Sequence, residues 1–283
     1  MVEVKYKNLN KPVIDVKEAI KDKSRVYFYD SEVATERGDE INKVIKGGNT
    51  IYGQYQFPME NIVCAIHPIE EGFKVYAASQ WTEGVQMMMS KALNIKQNRI
   101  DVQVRRVGGA FGLKISRNIQ SAIACGLVVQ KLNRPCRFIQ SLSASMRAIG
   151  KKLPCTTDFE VGVNSRGVIQ YMDYNLYQDI GCINNETFSH LVMTAYNNSY
   201  KKATWNFKCY NAITDTPKNS WFRAPGTADS IANAELMMEQ IAYELSLDPT
   251  EVRLNNLDKE TASPLLEMLN TLKIDAQYDD RRL

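Results

Sequence analysis

Histidine is almost missing from this chain: His67 and His190 are the only two in 283 residues. A histidine-built metal site or a Ser-His-Asp triad needs imidazoles brought together from separate elements, and neither is supported here. The six cysteines, at 64, 125, 136, 155, 182 and 209, include no Cys-x-x-Cys pair. That argues against a zinc ribbon, an iron–sulfur cluster or a thioredoxin-type site, and reduced, idle thiols are expected. Surplus positive charge is also lacking. A net charge of +3 with no basic stripe between aromatics leaves no footprint for nucleic acid. No apolar run reaches the roughly 18 residues a membrane helix needs. The start, Met1-Val2-Glu3-Val4-Lys5-Tyr6-Lys7, has no apolar core of a signal peptide. A cytoplasmic protein with neither membrane nor nucleic-acid partner is expected.

What is present is ordinary for a globular protein. Hydrophobic residues make up 44% and charged residues 24%, and the length suits one large domain or two. Residues 1–48 are polar, with a strand-like start at 3–6 and helices expected at 15–22 and 31–46. They end in the turn cluster Lys46-Gly47-Gly48-Asn49, which predicts a domain boundary. An alternation then follows. A strand is expected at 74–79, and a helix at 83–94 capped by Thr82 with Val85, Met88, Met89 and Leu93 inward. Next come a strand at 99–107, a helix at 116–132 with the apolar run 122–129, and a strand at 136–140. Strand–helix–strand units favour parallel strands with right-handed crossovers. Beyond residue 150 the pattern predicts an antiparallel hairpin at 156–163 and 168–177 and a strand at 204–213. A helix over 228–246 should bury Ile231, Leu236, Met237, Ile241 and Leu245. Asp248-Pro249-Thr250-Glu251 has the grammar of a helix start. The last fifteen residues are polar, with no closing element, and both ends read as truncated. The fold class is α/β (α+β mixed), strand–helix–strand units with an added antiparallel hairpin.

The densest signal is Arg105-Arg106-Val107-Gly108-Gly109-Ala110-Phe111-Gly112-Leu113-Lys114, between the 99–107 strand and the next helix. Three glycines in five positions let the backbone turn sharply and approach a ligand, and free amides there can bind an anion or oxo group. The loop is not Gly-x-Gly-x-x-Gly, and Ser141-Leu142-Ser143-Ala144 supplies no ribose-binding acid. It also lacks the Gly-Lys-Ser/Thr of a P-loop. A plain tight turn stays open as an alternative. Gln80 should share the strand-end side with the loop, where open α/β sheets bind ligands. In Phe222-Arg223-Ala224-Pro225-Gly226 an arginine precedes a helix and offers a rigid fork to phosphate or carboxylate; an ordinary surface arginine is the other reading. The pairs Glu70-Glu71, Asp39-Glu40 and Asp279-Asp280 read as solvated. The glycosylation patterns Asn185-Glu186-Thr187 and Asn197-Asn198-Ser199 carry no weight without a secretory signal.

Taken in order, Gln80, the 108–114 loop and Asn219-Ser220-Trp221-Phe222-Arg223-Ala224-Pro225-Gly226 resemble the molybdenum-cofactor domain of the xanthine dehydrogenase and aldehyde oxidase family. So do Gln54-Tyr55-Gln56-Phe57-Pro58-Met59-Glu60 upstream and Asp248-Pro249-Thr250-Glu251-Val252-Arg253-Leu254-Asn255-Asn256-Leu257 downstream. The resemblance covers about residues 50–270. It implies residues 1–48 as the end of a preceding hammerhead domain and 49–283 as the first part of the cofactor-binding domain. It further implies a molybdenum–molybdopterin cofactor held by Gln80, Gly109, Ala110, Phe111, Gly112 and Arg223. No residue of this chain would ligate the metal itself; Gln80 and Phe111 would lie near its ligands.

Members of that family hydroxylate a carbon of an aldehyde or N-heterocycle, with water as oxygen source, and form homodimers. The substrate pocket implied here is Phe111, Ile115, Leu191 and Pro225. Ile115 stands where purine oxidisers have a glutamate, Leu191 where they have an arginine, and Pro225 replaces a ring-clamping aromatic. Leu113 replaces a glycine of the family loop. A purine needs polar partners to tell its edges apart, so these departures favour an aldehyde oxidase-like, apolar pocket. The family's catalytic glutamate would lie beyond residue 283, and its 2Fe-2S and FAD domains before residue 1. This chain alone is thus expected to be an inactive fragment. An inactive paralogue serving as an interaction module, and a purine oxidiser with altered pocket residues, are the alternatives.

Overall fold

The structure, a computed structural model, describes residues 4–281 apart from 8, 185, 187 and 261. Asp15 caps the short α1 (Val16–Ala19) by accepting a hydrogen bond from Lys17 N. Strands β1 (Val26–Glu32), β2 (Lys43–Gly47) and β3 (Thr50–Ile51) follow. Next come β4 (Val63–Ile69), β5 (Gly72–Ala77), α2 (Thr82–Leu93) and β6 (Ile100–Gln103). After them lie α3 (Leu113–Ser116), α4 (Ile119–Leu132), β7 (Cys136–Ile139) and α5 (Leu142–Ala148). The long strands β8 (Cys155–Val163) and β9 (Ile169–Gly181) precede α6 (Ser189–Met193) and β10 (Trp205–Ile213). Helices α7 (Thr227–Leu245), α8 (Pro249–Asn256) and α9 (Ser263–Asp275) complete the order.

The smaller sheet has four strands in the order β6-β5-β4-β7. β5 and β6 are parallel, as the strand–helix–strand pattern predicts, and α2 connects them. β4 is antiparallel to both β5 and β7, so β7 runs in the direction of β5 but one strand removed. β4 itself escaped the sequence reading: Val63–Ile69 contains His67 and Pro68, which blur its alternation. On one face, Cys64, Ile66, Phe73, Val75 and Ile100 pack against Val85, Met89 and Leu93 of α2 and Ala122, Cys125 and Val129 of α4. Met88, Leu127 and Val128 point away from that core. Thr82 is not the cap expected of it; the N-cap position is Trp81 and no side chain caps α2. The strand expected over 99–107 ends at Gln103, which frees a longer connection before the glycine loop.

The larger sheet has the order β1-β10-β9-β8-β2, with β3 also paired to β8. The expected hairpin is present as β8 and β9, antiparallel, while β10 runs parallel to β9. The helix expected at 31–46 is absent. In its place β1 lies along β10 and β2 along β8, both antiparallel, on either side of an irregular link. Strands on each side of residue 48 therefore share one sheet. Residues 4–7 are not in a strand, and Glu3 lies outside the described residues.

Met237, Met238, Ile241 and Ala242 of α7 pack onto Phe159, Val161, Tyr174 and Phe207 of this sheet. Ile231 and Leu236, assigned inward from spacing, are exposed. The buried stripe instead runs through Ala234, Met237, Met238, Ile241 and Ala242. Asp248 caps α8 as its sequence grammar predicts, accepting from Thr250 N and Glu251 N. The polar tail does not lack a closing element: α9 packs Leu265 and Leu269 against the same core. All six cysteines are free thiols, and burial pushes Cys64, Cys155 and Cys209 up to about 12.

Candidate cofactor site

Because β5 and β6 are parallel, the segments leaving their carboxyl ends emerge side by side. The backbone then ties them together. Gln80 N donates to Lys114 O at 2.9 Å, and the buried Ser79 hydroxyl donates to the same oxygen at 3.3 Å. Gln80 Oε1 accepts from Gly112 N at 3.1 Å. This leaves the exposed Gln80 carboxamide with its NH2 donor unpaired among the described residues.

The loop itself is bent by three residues in the left-handed region: Gly109 at φ 95°, Phe111 at φ 51° and Gly112 at φ 100°. A Cβ on Gly112 would stand 2.6 Å from Trp221 O, so only glycine fits where the loop meets the 219–226 segment. Phe111 tolerates no such ease. A bulky residue there costs on the order of 1–3 kcal/mol, a strain that concentrates at functional sites. Its ring remains 45% exposed, an unsheltered apolar surface at the loop's apex.

Beneath the loop, Glu60 acts as a clamp. Its Oε2 accepts from Gly108 N at 2.9 Å and from the Lys114 ammonium at 2.6 Å. Lys114 is fully buried. Partial burial opposes ionisation of Glu60, but the bonds from Lys114 and Gly108 win and hold its carboxyl below the ordinary range. With Gly108 N and Gly112 N so occupied, and Leu113 N bonded to Ala110 O, the amides of 109–111 have no acceptor among the described residues. Successive unpaired N–H groups in such a loop can donate to an oxygen ligand.

The third wall comes from far along the chain. Arg223 N donates to Phe111 O at 3.1 Å. Gln56 Nε2 donates to Trp221 O at 2.7 Å and Ser220 Oγ at 3.1 Å, fastening the upstream segment to the same place. Lys152 braces it from behind, 3.4 Å from Asp229 and with its Nζ donating to Arg223 O at 3.5 Å. Burial pushes the Asp229 carboxyl up to about 6 despite Lys152. Ala224 at φ 52° and Gly226 at φ 70° turn the chain into α7. The Arg223 side chain is exposed and unpaired among the described residues, leaving its guanidinium available.

Gln80, Gly109, Ala110, Phe111, Gly112 and Arg223 thus come together. The pocket residues are gathered less tightly. Ile115 lies half-buried on α3, directly after the loop, and Pro225 lies two residues beyond Arg223. Leu191 packs against the cluster of Leu153, Ile180 and Phe188, on which Trp221 also packs. One feature escaped the sequence reading. Next to Ile115, Glu186 accepts from Ser116 Oγ at 2.8 Å and lies between Arg117 at 3.3 Å and Lys218 at 3.4 Å. Two cations thus share one carboxylate, and burial lowers the pKa of both Arg117 and Lys218. Glu60 and Lys114 were visible as residues but not as a pair, since nothing local joins positions 54 apart.

Unpaired amides, a free carboxamide donor and a free guanidinium around an exposed ring suit an oxygen-rich, anionic cofactor. Comparison with known proteins identifies the family. The molybdopterin cofactor-binding domain family matches residues 20–257. Aldehyde oxidase 4 of Arabidopsis thaliana is 30% identical over 270 residues, covering 91% of this chain and 20% of that protein. Xanthine dehydrogenase/oxidase of Rattus norvegicus is 30% identical over 271 residues, covering 92% and 20%. The chain therefore spans about a fifth of the length of these curated relatives. Among solved structures, quinoline 2-oxidoreductase from Pseudomonas putida 86 superposes with a TM-score of 0.79 at 18% identity, over 99% of this chain and 40% of that one. The aldehyde oxidoreductase of Desulfovibrio desulfuricans ATCC 27774 gives 0.75 at 21%, over 89% and 30%. Those two show the shared fold, and the family match over most of the chain shows the membership: this chain belongs to the molybdopterin cofactor-binding domain family.

Proposed function

We propose that this chain forms one wall of the molybdenum–molybdopterin site of a molybdenum hydroxylase that oxidises aldehydes to carboxylic acids. The observation that carries the proposal is the meeting of three remote segments, through Gln80 Oε1 with Gly112 N and Phe111 O with Arg223 N, both at 3.1 Å. In this reading the cofactor supplies the redox chemistry and water the oxygen. The chain's own part is placement. Gln80 Nε2, the 109–111 amides and Arg223 would hold the cofactor by donating hydrogen bonds to its oxygen atoms. Phe111 excludes water from the reacting face.

An aldehyde substrate is favoured over a purine because Ile115, Leu191 and Pro225 offer no hydrogen bond to a heterocycle edge. The proposal extends to a cytoplasmic homodimer, with 2Fe-2S and FAD groups carried elsewhere in the enzyme. It also takes residues 1–48 as the close of a preceding hammerhead domain and 49–283 as the start of the cofactor-binding one.

The test is to express the chain in a host that makes the cofactor and measure bound molybdenum and aldehyde oxidation. Retained molybdenum that falls at least tenfold in Gln80→Ala and Arg223→Ala, without turnover by the chain alone, is the expected result. Molybdenum retention at background level, or unchanged in both variants, would overturn the site. Xanthine turnover restored by Ile115→Glu in a complete enzyme would support the pocket assignment.

A further inference from the structure

The small sheet carries helices on one face only. On the other, the registers place Arg137, Ala65, Tyr76 and Gln103 in one row across β7, β4, β5 and β6. A cleft of about 590 Å³ opens over that row, and Arg105, Arg106 and Arg137 line it together with Glu60. The volume falls within the range of small-molecule sites, roughly 300–1,000 Å³. Its floor combines Ala65 and Ala78 with the Tyr76 and Gln103 side chains of that row, so a flat ring can lie against the sheet beside Tyr76.

The charge of this cleft is unbalanced. Glu60, its one carboxylate, is turned to Lys114 and Gly108 N on the loop. Arg105, Arg106 and Arg137 are exposed and have no carboxylate partner among the described residues. Lys74, on the same face and 5.7 Å from the Tyr76 ring, stands opposite Asp101 in the β5–β6 register, so that pair adds no net charge. Three guanidinium groups around one cleft repel one another, and an anion placed between them relieves that repulsion. Phosphate suits them best, because its oxygens match the guanidinium fork in pairs.

We propose that this cleft is a binding site for a phosphate-bearing small molecule of mononucleotide size, its phosphate held by Arg105, Arg106 and Arg137 and its ring laid on the floor beside Tyr76. An acidic polypeptide fits less well. β4 and β5, which form the floor, are hydrogen-bonded to neighbours on both sides, so an extended chain could pair only with the edge strands β6 or β7 at the rim and not over the floor. The cleft adjoins the proposed cofactor wall through Glu60, which closes on Gly108 N and Lys114, but Gln80, Phe111 and Arg223 do not line it.

Calorimetric titration of the 283-residue chain with adenosine 5′-monophosphate, at constant ionic strength, tests this. Saturable one-to-one binding, weakened at least tenfold in the Arg105→Ala/Arg137→Ala double variant and unchanged in Arg223→Ala, is the expected result. Arg105→Lys/Arg137→Lys should weaken it by a smaller factor, since charge is kept and the fork is lost. Absence of saturable heat at millimolar nucleotide would overturn the proposal. So would equal weakening by Arg223→Ala, or tighter binding of a poly-glutamate peptide than of the nucleotide. The first of these alternatives would place the nucleotide in the cofactor site; the second would mark the face as a docking surface for an acidic chain. Failure of the molybdenum reading leaves all of these measurements unaffected.

Discussion

Lys114 and Glu60 are unequal partners: the ammonium is fully buried, and the carboxylate side chain keeps 31% of its exposure. Removing the exposed partner should therefore cost more than removing the buried one. Glu60→Gln leaves a charge without a counter-ion in the interior. Buried pairs lose roughly 3–5 kcal/mol when broken, and partial access of water at Glu60 reduces this to about 2 kcal/mol. Lys114→Met leaves a carboxylate that water can reach, at a cost of about 1 kcal/mol. Urea melts of the two variants measure the order. Gly112→Ala is the sharper lesion, because a left-handed backbone and a contact with Trp221 O at 2.6 Å act together. A loss of at least about 2 kcal/mol is expected, with a shift in tryptophan emission as Trp221 is displaced.

At the scale of elements, the first turn of α7 carries a pH-sensitive brace. Asp229 titrates at about 6 in the fold against a reference of 3.8, because burial opposes its charge more than Lys152 supports it. Between those values the folded state holds a proton that the unfolded state has released. Its contribution to stability is thus complete below about 4 and lost as pH rises through about 6. The difference is on the order of 3 kcal/mol at about 1.4 per unit. Asp229→Asn should remove this component. The gap between wild-type and variant stability, followed by denaturant titration across that window, is the measurement.

Elements with strong local patterns were readable in advance: β5, α2, α4, the β8–β9 hairpin, β10, α7 and the capped α8. Where reading failed, the local signal was weak or contrary. β1 is an edge strand whose residues are mostly exposed, so no alternation marks it, and pairing with β10 decides its conformation. The expected helix at 31–46 gave way to the same cause at β2, which is held by β8.

At the scale of the whole molecule, residue 48 is crossed by a continuous sheet. Deleting residues 1–48 would strip β1 from β10 and β2 from β8, opening two long strands to intermolecular pairing. The shortened chain should be recovered as aggregate or oligomer by size-exclusion chromatography. A soluble monomer with native circular dichroism would show that the remaining sheet closes without them. Charge behaves similarly at this scale. A net +3 conceals one cleft lined by three unpaired arginines and another cluster in which two cations share Glu186.

The sequence by itself determined the strand–loop–helix containing residues 108–112, the arginine turn before α7 and the residues on which the family membership rests. Periodicity, glycine spacing and capping act over a few residues, so they can be read without partners. Only the tertiary structure decided that Gln80 meets Gly112, that Gln56 reaches Ser220 from 164 positions away, and that Glu60 closes on Lys114. Those pairings arise because parallel β5 and β6 deliver their ends to one place and the larger sheet brings residue 223 back to it. Contacts of that range leave no periodic trace in the chain; the packing of the two sheets creates them.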